Sequence, residues 1–165
     1  MATALKNLSH YDKNKIPTGA DFKIGIVVSE WNDEITNNLF LGAKKTLLEN
    51  NVPEENILIR YVPGAFELPL GVQLLLDNTD VDGVIAIGVV IQGETKHFDY
   101  VCSGTTEGLM RVMLEYNSPV SFCVLTDNLI QQSIDRSGGV HGNKGVECAI
   151  ACLKMIDFKK SIETK

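Results

Sequence analysis

The chain has 165 residues, with 15 Lys or Arg against 21 Asp or Glu and a formal net charge of −6. That length fits one domain able to bury a sizeable core, and the negative balance with scattered basic residues excludes nucleic acid as a main partner. No apolar run approaches the roughly 20 residues that span a bilayer, and residues 1–21 have no apolar signal-peptide core, so the reading is cytoplasmic by default.

Residues 1–21 are polar, contain Pro17 and Gly19, and show no period. They read as a tail, disordered or docked on another surface, ahead of a single domain over 22–165. Residues 22–28 form the first predicted strand, rich in β-branched side chains. Ser29, Glu30, Trp31 and Asn32 follow at its carboxyl end. Asn32 or Asp33 is placed to cap a helix over 34–50, with Ile35, Leu39, Ala43, Leu47 and Leu48 on its apolar face. Asn50, Asn51 and Pro53 end that helix.

A second strand is predicted over 56–62. Pro69 is tolerated only in a first turn, so the next helix should start near Phe66 and run to Asp77. Residues 84–92 are almost continuously apolar, the pattern of a strand buried on both faces of a parallel sheet. A helix over 98–116, a fourth strand over 119–126 and a short helix over 129–136 follow. The glycine-rich segment 137–143 then leads to a last helix over 144–158. Alternation of this kind implies one four-stranded parallel sheet with helices on both faces and right-handed crossovers. So small a sheet has edges for another subunit to cover.

All four cysteines, Cys102, Cys123, Cys148 and Cys152, lie in apolar segments and read as small buried hydrophobes. Cys148 and Cys152 share a helix face by spacing, but no histidine or further cysteine is near in sequence to complete a metal site.

In a parallel sheet the strand carboxyl ends share one rim, where ligands bind beside helix N-termini. That rim should carry Trp31 and Asn32, then Ala65, Phe66 and Glu67, then residues 93–97, then residues 126–128. Trp31, the single tryptophan, either caps the core or offers a stacking platform for a flat heterocycle. Phe66 either packs on its own helix or joins it. Glu67 in a first turn serves the helix dipole, or accepts from ring N–H or sugar hydroxyl groups. Gly93, Glu94 and Thr95 could bind phosphate through backbone amides and the Thr95 hydroxyl. His97 is either a helix-start residue bonded to backbone or a proton-transfer group at neutral pH. Arg136 and Lys144 flank the glycine-rich loop and are either solvated or phosphate contacts, Arg136 being better suited by its bidentate guanidinium. His141 and His10 read as solvated surface. Neither a Walker motif nor GxGxxG is present.

Three stretches carry a family resemblance: Val62-Pro-Gly-Ala-Phe-Glu-Leu-Pro69, Gly88-Val-Val-Ile-Gln-Gly-Glu-Thr-Lys-His-Phe-Asp-Tyr-Val101 and Gly142-Asn-Lys-Gly-Val-Glu147. Together, in this order and spacing over about residues 22–158, the chain resembles the lumazine synthases, the penultimate enzymes of riboflavin biosynthesis. The resemblance implies an α/β, flavodoxin-like three-layer sandwich. It implies condensation of 5-amino-6-ribitylaminouracil with 3,4-dihydroxy-2-butanone 4-phosphate, with no metal or organic cofactor.

Carried over by position, the resemblance makes Trp31 the aromatic that stacks on the pyrimidine, and Ala65, Phe66 and Glu67 contacts to ring and ribityl chain. Val89, Val90 and Ile91 become a strand edge that binds the pyrimidine through backbone, and Glu94 and Thr95 the phosphate turn. His97 is then the proton donor, Arg136 the phosphate-binding arginine, and Lys144 a catalytic-site lysine near it. Phe122 is an aromatic supplied by a neighbouring subunit. Two positions depart from the family pattern: Val89 replaces a frequent small polar residue, and Gln92 a common arginine.

The family forms homopentamers with sites between subunits, and some members close twelve pentamers into a shell. The short 136–144 segment lacks the insertion that obstructs the shell, so a 60-subunit icosahedral capsid is expected, with riboflavin synthase as an associated partner. Two other readings stand beside this one. A flavin- or lumazine-binding protein without catalysis conflicts with intact His97, Glu67 and Arg136. A flavodoxin-type electron carrier conflicts with Ser29-Glu-Trp-Asn32, a poor phosphate loop.

Overall fold

The computed structural model describes residues 7–163. Four parallel strands, β1 (Ile24–Ser29), β2 (Ile57–Val62), β3 (Gly83–Ile91) and β4 (Val120–Asp127), form a sheet in the order β2-β1-β3-β4. Their connections are α1 (Asp33–Glu49), α2 (Leu68–Asn78) and α3 (His97–Glu115). After β4 come α4 (Ile130–Arg136), a small hairpin of β5 (Ser137–Gly139) and β6 (Gly142–Asn143), and α5 (Lys144–Glu163). This is the flavodoxin-like α/β sandwich expected.

Strand side chains alternate between two cores, as a period of two requires. Ile24, Ile26, Ile85, Ile87 and Cys123 pack with Leu39 of α1 and Leu153 of α5. Val27, Val84, Ala86 and Val124 pack instead with Leu68 and Val72 of α2 and Leu109 of α3. Cys123, Cys148 and Cys152 are buried, as the apolar reading expects, and Cys102 is half-buried. α1 and α5 lie close enough that a Cβ on Gly145 would sit 1.9 Å from the Leu39 carbonyl oxygen.

Several boundaries differ from the sequence reading. Asn32 adopts a left-handed conformation, φ 58°, and its side chain caps nothing; the helix begins directly at Asp33. A 3-10 turn, Ala65–Glu67, precedes α2, so Pro69 falls in the first turn of a helix that starts at Leu68 instead of Phe66. α3 starts at His97, one residue early. The glycine-rich segment is a hairpin in which Gly138 and Gly142 take φ of +125° and +82°, values that favour glycine. α5 continues to Glu163, five residues past the expected end.

The described part of the N-terminal segment is docked. The Leu8 N–H donates to the His141 carbonyl at 2.8 Å, Ser9 Oγ accepts from the Asn143 N–H at 2.9 Å, and Tyr11 and Ile16 pack against the core. His10 and His141 are exposed, as expected. No helix among the described residues is long and apolar enough to cross a membrane.

Candidate active site

The register of the sheet creates the first feature of the site. β1 and β3 pair from Ile24 opposite Gly83 only as far as Val28 opposite Ile87. β3 runs on to Ile91, still paired with β4 through Ile91 and Asp127. Over residues 88–91 the edge of β3 that faces β1 therefore has no strand partner. Backbone donors and acceptors on such an edge are open to a planar ligand. Val89, Val90 and Ile91 occupy this overhang.

The β1 and β2 carboxyl ends are tied together beside it. The Glu30 N–H donates to the Val62 carbonyl at 2.9 Å, and the Trp31 N–H to the Pro63 carbonyl at 3.2 Å. This crossing carries Trp31 to the rim, where it is 72% exposed. Its side chain does not cap the core. Around Gly64, a Cβ would be 3.1 Å from Glu67 Oε2 and 3.3 Å from Trp31 Cδ1, so the carboxylate and the indole converge on one point.

Ala65 forms the floor. Its carbonyl accepts from Thr105 Oγ1 at 3.1 Å, pinning the 3-10 turn to α3. A Cβ on Gly88 would lie 3.4 Å from the Ala65 Cβ and 3.3 Å from Ser29 Oγ. That Ser29 hydroxyl is fully buried and has no hydrogen-bond partner among the described residues. Phe66 reaches across to α3. Its ring lies over Gly104 of α3, where a Cβ would be 2.7 Å from Cε2, and 58% of the residue stays exposed.

Beyond the overhang the chain turns outward. The Gln92 N–H donates to the Asp127 carbonyl at 2.9 Å, and Gly93 has open space where a side chain would be. Glu94, Thr95 and His97 are exposed. Thr95 Oγ1 accepts from the His97 backbone N–H at 3.4 Å. The imidazole itself has no hydrogen-bond partner among the described residues. The structural reading of His97 therefore accounts for its backbone only, and the ring at the first residue of α3 is free to meet a ligand.

Phe122 and Lys144 lie elsewhere. Phe122 pairs with Ala86, five residues before Ile91, which puts it about 17 Å down the strand from the rim. With Lys144, Glu147, Cys148 and Tyr11 it lines a cavity of about 800 Å³ along the exposed side of β4. Lys144 Nζ stands 2.6 Å from Glu147 Oε1. Burial is the largest single influence and disfavours the ammonium, but the hydrogen bond to Glu147 and the neighbouring charges of Cys148 and Glu147 together hold the Lys144 pKa above its ordinary value. Arg136, half-buried at the end of α4, donates from Nη1 to the Gln132 carbonyl at 2.9 Å.

One chain thus assembles Trp31, Ala65, Phe66, Glu67, the 89–91 edge and the Glu94–His97 turn on its rim. It presents Phe122 and Lys144 on a different face. Sequence reasoning assigned no role to Gly64, Thr105 or Ser29. Only the glycine after Pro63, at the end of a strand, gave a signal.

The sequence profile described as 6,7-dimethyl-8-ribityllumazine synthase matches residues 21–160. A protein of that name from Flavobacterium johnsoniae is 59% identical over 155 residues, 94% of this chain and 82% of the relative. One from Christiangramia forsetii is 55% identical over 161 residues, 97% and 96% of the two chains. One from Phocaeicola vulgatus is 49% identical over 163 residues, 99% and 97%.

Proposed function

The chain belongs to the 6,7-dimethyl-8-ribityllumazine synthase family, and from that premise we propose how its residues divide the work of condensing 5-amino-6-ribitylaminouracil with 3,4-dihydroxy-2-butanone 4-phosphate. The observation that carries the proposal is the β3 overhang beside Trp31. Uracil-type rings are flat and edged with N–H and C=O groups. They need a face to stack on and a backbone edge to bond, and Trp31 and residues 89–91 supply both. Glu67 accepts from ring or ribityl donors.

The pyrimidine amine adds to the ketone and loses water to give an imine. Elimination of phosphate leaves an enol that becomes a second carbonyl. The ribityl-bearing amine closes onto that carbonyl with loss of a second water, giving the lumazine. Each step moves a proton, and we assign that transfer to the exposed His97 ring. Glu94, Thr95 and Arg136 hold the phosphate as its charge grows. Holding two substrates in register supplies much of the remaining rate. The imine forms between substrates, so Lys144 acts through its charge.

The residue split supports a site shared between copies. Phe122 is about 17 Å down the strand from the rim of its own chain, and we assign it, with Lys144 and Arg136, to the site of a neighbour in a homopentamer. The 60-subunit shell, association with riboflavin synthase and a cytoplasmic location belong to the same reading. The test is an absorbance assay with both substrates: lumazine and phosphate should appear together in equal amounts. Retained flavin without product would favour a binding protein instead.

A further inference from the structure

Gly64 separates β2 from the 3-10 turn that carries Glu67. Its backbone is extended, φ −146° and ψ 179°, a conformation open to any residue. Conformational freedom therefore does not explain a glycine here. Space does. Chain neighbours aside, a Cβ would meet only Glu67 Oε2 at 3.1 Å, Trp31 Cδ1 at 3.3 Å and Trp31 Nε1 at 4.0 Å among the described residues. No core side chain and no backbone atom competes for the spot. Within 4 Å, chain neighbours aside, the spot is bordered by two side chains of the rim.

We propose that Gly64 is a positioning residue for the pyrimidine end of the site, bare so that the Trp31 indole and the Glu67 carboxylate can close over it. The inference rests on the reading that Trp31 and Glu67 bind the pyrimidine. A methyl group at Gly64 displaces both by a few tenths of an ångström; an isopropyl group holds them apart. The ring then loses either its stacking face or its acceptor. Phosphate binding, on the far side of the β3 overhang, is untouched.

Gly64→Ala and Gly64→Val in the full chain form a graded test. The KM for the pyrimidine should rise about threefold and about tenfold in turn, with kcat within about twofold and the KM for the ketone phosphate unchanged. Trp31 is the single tryptophan, so its emission maximum should shift in the unliganded variants. Tm should hold or rise, because replacing glycine at an extended position removes unfolded-state freedom. Binding that weakens while stability holds is not the behaviour of a merely structural glycine. An unchanged pyrimidine KM overturns the inference, as does a KM that rises only with falling Tm. If Gly64→Val aggregates, the Ala variant and its emission decide. Glu67→Gln separates the two layers. If it leaves the pyrimidine KM unchanged, the site assignment falls, and Gly64 with it. If it raises the KM while the Gly64 variants do not, only the Gly64 inference falls.

Discussion

Lys144 and Glu147 meet across one turn at the start of α5, 2.6 Å from Nζ to Oε1, with side chains only 12% and 21% exposed. A lysine held charged in this way is no neutral-pH base or nucleophile. It is a fixed positive charge beside Phe122. Removing Glu147 takes one partner from a partly desolvated ammonium, and breaking such pairs costs more than losing a surface bridge. Glu147→Ala should destabilise the chain by about 2 kcal/mol, and Glu147→Gln by less, in urea unfolding. Replacing both residues by apolar ones of similar size should recover most of that stability while activity stays low. Equal losses for Glu147→Ala and an exposed pair such as Arg111–Glu115 would show that burial adds nothing.

His97 and Trp31 should fail in different ways. The His97 ring has no hydrogen bond to lose among the described residues, so His97→Ala should fold normally. It should lower kcat about a hundredfold with pyrimidine affinity largely kept. Trp31→Ala should weaken pyrimidine binding about tenfold with a smaller effect on kcat. Steady-state kinetics with each substrate varied in turn distinguish the two. Unchanged turnover in His97→Ala rules out its proton-transfer role, and unchanged pyrimidine affinity in Trp31→Ala rules out stacking.

The parts of this structure legible in the sequence are those set by local pattern. The almost continuous apolar run through residue 91, rich in Val and Ile, announces a strand buried on both faces, and β3 is one. Ile35, Leu39, Ala43 and Leu47 announce the buried face of α1, whereas Leu48, read with them, is exposed. The rim order follows from the strand order. What escaped is set by non-local contact. The β3 overhang depends on register against β1, which no periodicity encodes. Phe66 reaches α3 because Gly104, 38 positions on, makes room for it. The final turns of α5 carry no apolar period, and ion pairs such as Lys160 with Asp82, 2.8 Å, reach the sheet from there. Asn143 belonged to a quoted motif, yet its role is architectural. Its amide donates to the Asn38 carbonyl at 2.8 Å, and its Oδ1 accepts from the Gly145 N–H at 2.8 Å, tying hairpin, α1 and α5 together.

Burial of Cys152 makes stability fall with alkaline pH. Desolvation pushes its thiol up to about 12, and Ser121 offsets only part of this. In the unfolded chain a cysteine ionises near about 8.5. The native pKa is the higher one, so the contribution is complete below about pH 8.5 and is lost as pH rises from there toward 12. Between pH 7.5 and 9.5 the wild type should lose about 1 kcal/mol that Cys152→Ala does not lose. Urea midpoints of both proteins at the two pH values check this, and parallel slopes would count against it. Cys123, raised through its hydrogen bond to Cys148 and by burial, should add to the wild-type slope in the same direction.

Assembly is where the monomer's surface points most directly. β4 is an edge strand with Phe122 exposed on it, and Leu129, Ile130 and Ile134 are exposed just beyond. Leu70 and Leu74 on α2, and Met110 and Leu114 on α3, lie one turn apart on their helices and are also exposed. Exposed apolar stripes beside an open strand edge are costly for a monomer in water and mark subunit contacts. On the proposed reading, the short hairpin between α4 and α5 leaves pentamers room to pack further. Light scattering near neutral pH should therefore give about 1.1 MDa, sixty times the 18.1 kDa chain. A stable mass of about 90 kDa, five chains, would refute the shell and keep the shared site. Leu114→Glu should shift the population toward smaller species and lower activity in proportion, because a site split between copies cannot survive their separation. Full activity in a monomeric variant would refute the shared site itself.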